Sequence, residues 1–397
     1  MQLSHFLDED LMQAPETADM KDIEAALDRF MDESNGILKL KPNYVRRYYR
    51  DGGRLLAEQK LHTSKSNVSG PWTPERWIAS TVTAYNPHPL PGEGLSFLDV
   101  SGNDISLKDS LSLRAEQIVG PQLATRYAPQ FPLLSKVFDP YDPIVFHFHA
   151  RDEDVRRFPE HFAPNTNGKE EAYYFLPGPK GRMPYTHVGL HSGVTKQELS
   201  SAIEKGGDYL LDLSPAFAQR YEEGFHVPAG IPHRPGTALT LELQQPSDVY
   251  THLDWFSGEQ KLSPQQTHPG FDSLEQALEF IDWQSSEDSH ILDKYRLIPE
   301  LFSDTRQQGQ GEEAWIFPPR MTRKFSGKRV RVTGAFEMLE SQPYALLVWR
   351  GRGQLNGKPV QAGDEFFVTF AQARKPHVLK STGAELLEVF KFFPPEA

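Results

Sequence analysis

Apolar residues recur along the chain in two patterns, short β-type runs and a few helical stretches. Runs rich in β-branched and aromatic residues predict strands, because alternate side chains of a strand point to opposite faces of a sheet. Such runs begin near Glu75, continue to Gln245 and resume from about Lys328 onwards. The 32 Pro and 29 Gly favour turns over long helices. The pattern predicts a mainly β protein with two strand-rich regions, the second a small barrel or sandwich.

Four stretches have the apolar spacing of amphipathic helices. In chain order they are Ala18 to Met31, Ser106 to Val119, Thr195 to Gly206 and Asp272 to Trp283. Asp19 is the expected N-cap of the first helix. Thr195, with Glu198 three residues later, has the signature of a capping box.

In three further segments the apolar residues follow neither a helical nor a strand period. Arg151 to Lys169 is charged and contains prolines, which predicts a loop. Ser285 to Gly327 is polar, and we interpret it as a connecting segment. Tyr44 to Gly53 is a basic, aromatic patch that we interpret as a solvated strand edge and turn rather than a binding surface.

Composition limits the classes of function. The net charge of −12 and the pI of about 5.6 oppose binding to nucleic acid or to an anionic membrane. The absence of cysteine excludes disulfides, thiolate metal ligands and cysteine nucleophiles. The start of the sequence is acidic and unlike a signal peptide, and no window approaches the ~18 apolar residues of a membrane span. We therefore expect a cytoplasmic protein that acts on small molecules.

The run from Ile144 to His149 carries two imidazoles one residue apart. In a strand, His147 and His149 project from the same face. Two neutral imidazoles that converge suit a metal ion and do not suit an apolar core. This strand is therefore predicted to hold a metal inside a β-barrel.

Two other motifs offer further ligands. Pro228 to His233 places a third imidazole after a Pro-Gly turn, and Gly168 to Glu171 brings a carboxylate to the start of a strand. Three imidazoles and one carboxylate make a four-ligand site for a divalent metal that leaves positions for substrate or water. Strand alternation leaves the carboxylate open among Asp152, Glu153, Glu170 and Glu171. A His-x-His pair alone is commonly chance, so the order and strand context of the motifs carry this prediction.

His-x-His followed by Pro-x-Gly-x-x-His resembles the cupins, which are double-sheet jelly-roll barrels with a metal inside. More specifically, the chain resembles the type I mannose-6-phosphate isomerases over most of its length. The similar stretches, in chain order, are Pro74-Glu-Arg-Trp, Phe131-Pro-Leu-Leu-Ser-Lys-Val, Gly168-Lys-Glu-Glu, Thr195-Lys-Gln-Glu-Leu, Phe225-His-Val-Pro-Ala-Gly-Ile-Pro-His, Leu241-Glu-Leu-Gln-Gln-Pro-Ser-Asp and Ser273-Leu-Glu-Gln-Ala-Leu.

The resemblance implies a mainly β fold of two cupin (jelly-roll) β-barrel domains with added helical segments. The second barrel of the family holds no metal, which fits the single histidine after residue 328, His377. We predict an N-terminal helical extension over residues 1–36 and a metal-binding cupin domain over 37–258. A helical or irregular connector over 259–327 and a metal-free cupin domain over 328–397 complete the predicted division.

The resemblance also implies a ligand set for one divalent metal. The family's ligands fall on His147, His149, Glu171 and His233, and the Gly-Lys-x-Glu match selects Glu171 over Glu170. Zinc is the expected ion, with manganese, iron and nickel as alternatives.

Two catalytic positions follow from the same resemblance. The family's active-site lysine falls on Lys169, and its aspartate after the Gln-Gln strand falls on Asp248. Isomerisation moves a proton between adjacent carbons, so it needs a metal that polarises oxygens and a placed acid or base. Without the resemblance, Lys169 would be a loop lysine paired with Glu170, and Asp248 would be a turn residue.

Two positions depart from the family pattern. His147 stands where the family usually has glutamine. His252, which we include among the catalytic candidates, stands where the family has an arginine. An imidazole replaces only part of the charge and the donors of a guanidinium. The departure opens the substrate to a different or unphosphorylated sugar.

The leading hypothesis is a metal-dependent aldose–ketose isomerase of a sugar or sugar phosphate that works by enediol-type proton transfer. The alternatives are a bicupin that acts on a carbohydrate derivative by epimerisation, dehydration or oxygenation, and an inactive sugar-binding homologue. The expected partner is a small sugar or sugar phosphate, with no nucleic acid and no membrane. The sequence predicts no oligomeric state.

Overall fold

The computed structural model describes residues 20–47, 49–55, 72–86, 90–102, 104–178, 180–257 and 260–396. These residues form two cupin-type β-barrels with helical segments around them, and strands pair antiparallel in both barrels. The prediction of a mainly β fold with two jelly-roll barrels is confirmed.

The first barrel consists of a seven-stranded sheet and a five-stranded sheet. In order across the larger sheet, the strands are Arg296–Leu297, Gly224–Val227, Glu171–Phe175, Thr240–Gln244, Leu134–Phe138, Glu75–Ile78 and Asn43–Val45. Across the smaller sheet they are Thr251–His252, His147–Phe148, His233–Arg234, Tyr185–Val188 and Ala216–Ala218. A separate hairpin pairs Phe256–Ser257 with Gln260–Lys261.

The second barrel consists of a seven-stranded sheet and a four-stranded sheet. In order across the larger sheet, the strands are Ile37–Leu40, Glu365–Val368, Tyr344–Arg350, Leu387–Phe393, Ser326–Val332, Gly311–Phe317 and Glu300–Asp304. Across the smaller sheet they are Ala335–Met338, His377–Ser381, Arg352–Leu355 and Lys358–Gln361.

Alternation along the strands places ionisable side chains inside the first barrel. Glu242 lies opposite Lys136 on one neighbouring strand and opposite Tyr173 on the other, so these three side chains share the inner face. The flanking Leu241 and Leu243 point the opposite way and belong to the main apolar core. The central strands therefore bring charged groups together in the interior and send their apolar residues outwards.

The two seven-stranded sheets pack against each other through that apolar core. Tyr174 of the first barrel and Phe390 of the second have ring centroids 6.0 Å apart. Phe131 and Phe367 meet edge to face with centroids 5.0 Å apart. Full burial of each such side chain stabilises the fold by roughly 1.5–3 kcal/mol. The interface between the barrels is thus a continuous part of the hydrophobic core.

A buried ion pair crosses the same interface. Nη2 of Arg76 lies 3.0 Å from Oε2 of Glu365, and neither side chain is exposed. The other oxygen of Glu365 accepts the amide N–H of Ala79 at 2.8 Å. A buried ion pair fixes geometry, because losing either partner leaves an uncompensated charge. The pair therefore sets how the two sheets align.

The described helices, with two 3₁₀ turns among them, are Met20–Glu33, Leu107–Val119, Pro121–Tyr127, Asp152–Arg157, Pro159–Phe162, Lys196–Lys205, Asp208–Leu211, Pro264–Thr267, Leu274–Ala277, Leu278–Phe280, Trp283–Ser286, Ile291–Tyr295, Arg306–Gln308 and Phe370–Ala373. Thr195 and Glu198 form the predicted capping box. Ala18 and Asp19, the predicted start of the first helix, lie outside the described residues. Within the described ranges, no helix has the length and apolar content needed to cross a bilayer.

Two predictions about irregular segments are wrong. Arg151 to Lys169 is not a plain loop, because it folds into the short helices Asp152–Arg157 and Pro159–Phe162. Ser285 to Gly327 is not simply the predicted connecting segment, because Glu300–Asp304 and Gly311–Phe317 are paired strands of the second barrel. Glu312 and Glu313 made the strand Gly311–Phe317 look polar in the sequence. In the structure both glutamates form buried ion pairs.

The residue boundaries predicted for the domains stay predictions, and strand pairing crosses them. Ile37–Leu40 pairs with Glu365–Val368 of the second barrel, although it lies within the segment predicted for the first. Arg296–Leu297, within the predicted connector, pairs with Gly224–Val227 of the first barrel.

Candidate metal centre

The structure brings the four predicted metal ligands together inside the first barrel. His147 and His233 lie directly opposite each other on paired strands of the smaller sheet. Glu171 begins a strand of the larger sheet, and His149 follows the strand His147–Phe148. One ligand atom from each residue lies within 4.8 Å of all the others, and all four side chains are buried. We call these residues the histidine–glutamate cluster.

The hydrogen bonds of the three imidazoles fix which nitrogen faces the cluster. Nδ1 of His147 donates to the carbonyl of Val145 at 2.7 Å, and Nδ1 of His149 donates to the carbonyl of Val249 at 2.7 Å. Nδ1 of His233 likewise donates to the carbonyl of Ile231, at 2.9 Å. A carbonyl only accepts, so each Nδ1 carries a proton, and in the neutral form of each ring Nε2 keeps its lone pair. This is the state in which histidine binds metals.

The fit to a cation is visible at His233. Its Nε2 is buried and makes no hydrogen bond to any of the described residues. Oε1 of Glu171 lies only 2.9 Å from that nitrogen, and Oε2 lies 3.1 Å from Nε2 of His149. Two lone pairs facing each other at such distances are unfavourable unless a positive charge lies between them. The donor set of three imidazoles and one carboxylate suits zinc, manganese, iron or nickel.

Burial keeps the imidazoles of His147 and His149 neutral. It lowers the pKa of His147 well below the usual range, and the neighbouring histidines add to the effect. Burial, followed by the charge of Lys169, lowers the pKa of His149 to about 3. For Glu171, burial opposes ionisation, but Lys169 and the imidazoles outweigh it and hold the pKa well below its ordinary value. At neutral pH, His147 and His149 therefore offer neutral nitrogens beside the carboxylate of Glu171.

A tight turn connects two of the histidine segments. Gly230 lies in the left-handed region with φ of +87°, where a side chain is disfavoured. Its amide N–H donates to the carbonyl of His149 at 2.7 Å. A Cβ at this glycine would lie 3.0 Å from Cβ of Asp282. The Pro-Gly turn of the sequence motif thus holds His149 and His233 in register.

Lys169 lies beside the cluster. Its Nζ is 2.8 Å from Oε2 of Glu171 and 3.0 Å from Nε2 of His149. Glu170, the partner suggested by the loop interpretation, instead contacts Nε2 of His226 at 2.8 Å. The predicted active-site lysine is therefore in the cavity and in contact with two predicted metal ligands.

Asp248 also faces the cavity, where it binds an arginine that sequence reasoning missed. Two hydrogen bonds, of 3.0 and 2.9 Å, join the guanidinium of Arg47 to the carboxylate of Asp248. Nε of Arg47 lies 3.1 Å from Oε1 of Glu75. The interpretation of Tyr44 to Gly53 as a solvated edge is wrong at Arg47 and Tyr49, which are buried and line the cavity. Tyr48 lies outside the described residues.

Three further ionisable residues in the cavity were not singled out from the sequence. Lys136 lies 3.2 Å from Oε2 of Glu242 and 3.9 Å from Oε2 of Glu75. Burial raises the pKa of Glu242 to about 8. Burial also opposes ionisation of Glu75, but Arg47 and Lys136 overcome it and hold its pKa at about 2. The sequence contained one sign of a charged cavity. Glu242 lies in the middle of the otherwise apolar strand Thr240–Gln244, and an isolated charge rarely faces a core.

His252 completes the wall next to the cluster. It pairs directly with His147 across adjacent strands, with ring centroids 6.0 Å apart. The ring of Tyr250 stacks on it at 4.4 Å. Burial lowers the pKa of His252 to about 3, so the imidazole is neutral and does not supply the charge of an arginine.

The chain has a fold of two cupin-type β-barrels and a buried group of three histidines and one glutamate that could bind a metal ion. The chain is similar to the mannose 6-phosphate isomerase from Bacillus subtilis, with a TM-score of 0.65 and 19% identity, covering 90% of this chain and 99% of that one. It is also similar to a mutant of phosphomannose isomerase from Salmonella typhimurium, with a TM-score of 0.65 and 12% identity, covering 91% of this chain and 100% of that one.

No protein-family model and no curated protein matches the sequence. At identities of 12% and 19% the likeness to solved structures concerns the fold. That fold is the one the sequence motifs predicted.

Proposed function

We propose that this protein is a metal-dependent isomerase that interconverts an aldose and its ketose, as a free sugar or a sugar phosphate. One observation carries the proposal: three Nε2 lone pairs and the Glu171 carboxylate converge in a cavity that also contains Lys169. The reaction needs an electrophile and a proton-transfer group side by side. The names of the two similar solved proteins support the same class of reaction.

The histidine–glutamate cluster would hold one divalent metal, and zinc is the ion we propose. When bound, the metal would act as a Lewis acid that polarises the carbonyl and the adjacent hydroxyl of the sugar. The protein's own share is orientation. The Nδ1 hydrogen bonds lock the three imidazole rings, so the ligand geometry exists before a sugar enters.

Lys169 and Glu242 are the groups we propose for proton transfer. Nζ of Lys169 lies 3.6 Å from Oε1 of Glu242, and Lys136 lies on the other side of that carboxyl. Because the pKa of Glu242 is raised to about 8, its ionised form is the minor one at pH 7, and this form would take the proton from one carbon and return it to the next. Lys169 would stabilise the negative charge that develops on the enediol-type intermediate of the sugar.

Asp248 and His252 have supporting roles in this proposal. Both carboxylate oxygens of Asp248 already bind Arg47, and Oδ2 also accepts the amide N–H of Tyr85 at 2.8 Å. Asp248 is therefore better suited to fixing the cavity wall than to moving a proton. Neutral His252 would contact the sugar or its reacting oxygens as a hydrogen-bonding side chain.

Hydrogen exchange during turnover tests the proposal. The protein, loaded separately with zinc, manganese, iron and nickel, is incubated in D₂O with aldoses, ketoses and their phosphate esters. We expect interconversion of one aldose–ketose pair, with deuterium appearing at C1 or C2. Removal of the metal with a chelator should abolish both, and adding it back should restore them.

Matched variants connect the activity to the site. Glu171→Gln and His149→Ala should lose bound metal and turnover together. His191→Ala, which changes an exposed histidine, should keep both. Absence of exchange and interconversion for every sugar and every metal would refute the isomerase proposal. Consumption of dioxygen with the iron-loaded protein would favour the oxygenase alternative.

A further inference from the structure

Each cation that lines the cavity is already matched by carboxylates, as far as the described residues go. Arg47 is bound on one edge by Asp248 and at Nε by Glu75. Nζ of Lys136 lies 3.2 Å from Oε2 of Glu242 and 3.9 Å from Oε2 of Glu75. Lys169 is also paired, because its Nζ lies 2.8 Å from Oε2 of Glu171. The imidazoles of His147, His149 and His252 are buried in the same cavity.

Among the described residues, no charged side chain lies at the cavity mouth. Of the side chains that line the cavity, only those of Ile144 and Tyr250 are half-buried, and the others are buried. Tyr250 is held between His252, stacked at 4.4 Å, and the edge of Tyr85 at 6.0 Å. Aromatic and aliphatic faces of this kind pack against the C–H faces of a sugar, but they offer no charge to an anion.

Charge and space together restrict the substrate. The cavity interior holds about 60 Å³, room for a few waters and hence for the reacting end of a sugar only. The far end of a sugar would therefore rest at the mouth, beside Ile144 and Tyr250. A terminal phosphate there would leave bulk water without meeting a cation among the described lining residues, which is unfavourable for a dianion. A hydroxyl at the same place would lose much less hydration free energy than a phosphate dianion.

We propose that the substrate is an unphosphorylated sugar, bound with its carbonyl end at the histidine–glutamate cluster and its hydroxylated tail against Ile144 and Tyr250. The inference rests on the proposed isomerase function for its chemistry, but it concerns recognition and is measurable without turnover. The paired cations serve to hold the cavity wall, and the uncharged mouth selects against phosphate.

Binding of unreactive polyols separates recognition from catalysis. Sorbitol is compared with sorbitol 6-phosphate, and mannitol with mannitol 1-phosphate, by calorimetry on the metal-loaded protein. We expect a free polyol to bind about tenfold or more tightly than its phosphate ester. Equal or tighter binding of the esters, or binding of none of the four compounds, would overturn the inference.

Turnover gives the second readout and keeps the two proposals distinct. The value of kcat/KM for a free aldose should exceed that for its phosphate ester about tenfold or more. Turnover of phosphate esters in preference to free sugars would overturn this inference and leave the isomerase proposal standing. Preferential binding of free polyols without any turnover of sugars would support this inference and overturn the isomerase proposal.

A charge placed at the mouth provides a gain-of-function test. Tyr250→Lys and Ile144→Lys each add an ammonium group where the tail is proposed to rest. Both should tighten binding of sorbitol 6-phosphate relative to sorbitol by about tenfold. Tyr209→Lys, which changes an exposed tyrosine on the helix Asp208–Leu211, is the control and should leave the ratio unchanged. An unchanged ratio in both mouth variants would place the sugar tail elsewhere and overturn the inference.

Discussion

The guanidinium of Arg47 and the carboxylate of Asp248 form a forked pair, with two hydrogen bonds of 3.0 and 2.9 Å. Both side chains are buried, and the pair connects the first strand region of the barrel to the segment that leads into His252. Such bidentate pairs are the strong and geometrically specific form of the salt bridge. The pair therefore supports the cavity wall from two distant parts of the chain.

Replacement of Arg47 by methionine should destabilise the fold. The change leaves Asp248 and Glu75 as buried charges without this partner, and loss of one member of a buried pair costs about 3–5 kcal/mol. We expect the free energy of unfolding, measured by urea denaturation, to fall by that amount. The double variant Arg47→Met with Asp248→Asn removes one orphaned charge and should recover part of the loss. No recovery would mean that Arg47 acts through its packing on Trp77 instead.

Loss of a single cluster residue should remove the metal. Glu171→Gln keeps the size of the side chain but removes its charge, and His149→Ala removes one nitrogen ligand. Elemental analysis after dialysis should show about one metal ion per chain in the unchanged protein and much less in both variants. His191→Ala should bind metal as the unchanged protein does. Full retention of metal by both cluster variants would rule out this ligand set.

Stability should fall in acid partly through Glu75. Its pKa is 4.5 ordinarily and about 2 in the folded protein, so ionised Glu75 contributes about 3 kcal/mol to folding near neutral pH. That contribution is complete above the ordinary pKa and is lost as the pH falls through 4.5 towards 2. Urea denaturation at pH 7, 4 and 3 should give a flatter pH profile for Glu75→Gln than for the unchanged protein. Parallel profiles would contradict the prediction.

Gly230→Ala should affect both stability and metal binding. A non-glycine residue at its φ of +87° costs about 1–3 kcal/mol, and the added methyl group contacts Asp282. Gly193→Ala is a matched control, since Gly193 has φ of +88° and open space around it. Both variants should lose stability in thermal denaturation, but only Gly230→Ala should weaken metal binding. Equal metal affinity in the two would mean that the turn does not position His233.

His252→Arg should weaken metal binding. The change introduces a permanent charge into a buried site whose ring lies 6.0 Å from that of His147, where it repels a divalent cation. We expect the affinity for zinc, measured by competition with a chelator, to fall about tenfold or more. His252→Gln, which stays neutral, should bind zinc normally and lose turnover. Normal turnover in His252→Gln would exclude a direct role for the imidazole.

Local chemistry made much of the first barrel predictable. Glu171 was selected only through the family resemblance, but the three histidines could be placed from local sequence because His147-x-His149 needs only strand alternation and the turn before His233 needs only a glycine. The helix after Thr195 was predictable for the same reason, because its cap is formed within one turn. In each case the residues that determine the structure are neighbours in sequence.

Arg47 and the strand Gly311–Phe317 were missed for the opposite reason. The partner of Arg47 lies 201 residues away, so in the sequence the arginine could not be distinguished from a solvated one. Glu312 and Glu313 made the strand look polar, but Arg329 and Lys391 neutralise them inside the second barrel. Burial of charge depends on long-range pairs, and a single sequence does not reveal those pairs.

The pairing of Ile37–Leu40 with Glu365–Val368 has a consequence for biosynthesis. During translation, the early strand leaves the ribosome long before its partner exists, and the two central strands of the same sheet also come late. The first barrel can close while the nascent chain is still growing, but this N-terminal strand must wait with its apolar face uncovered. Completion of the first barrel is therefore not enough to fix this strand, which joins its sheet only after Glu365–Val368 has been synthesised.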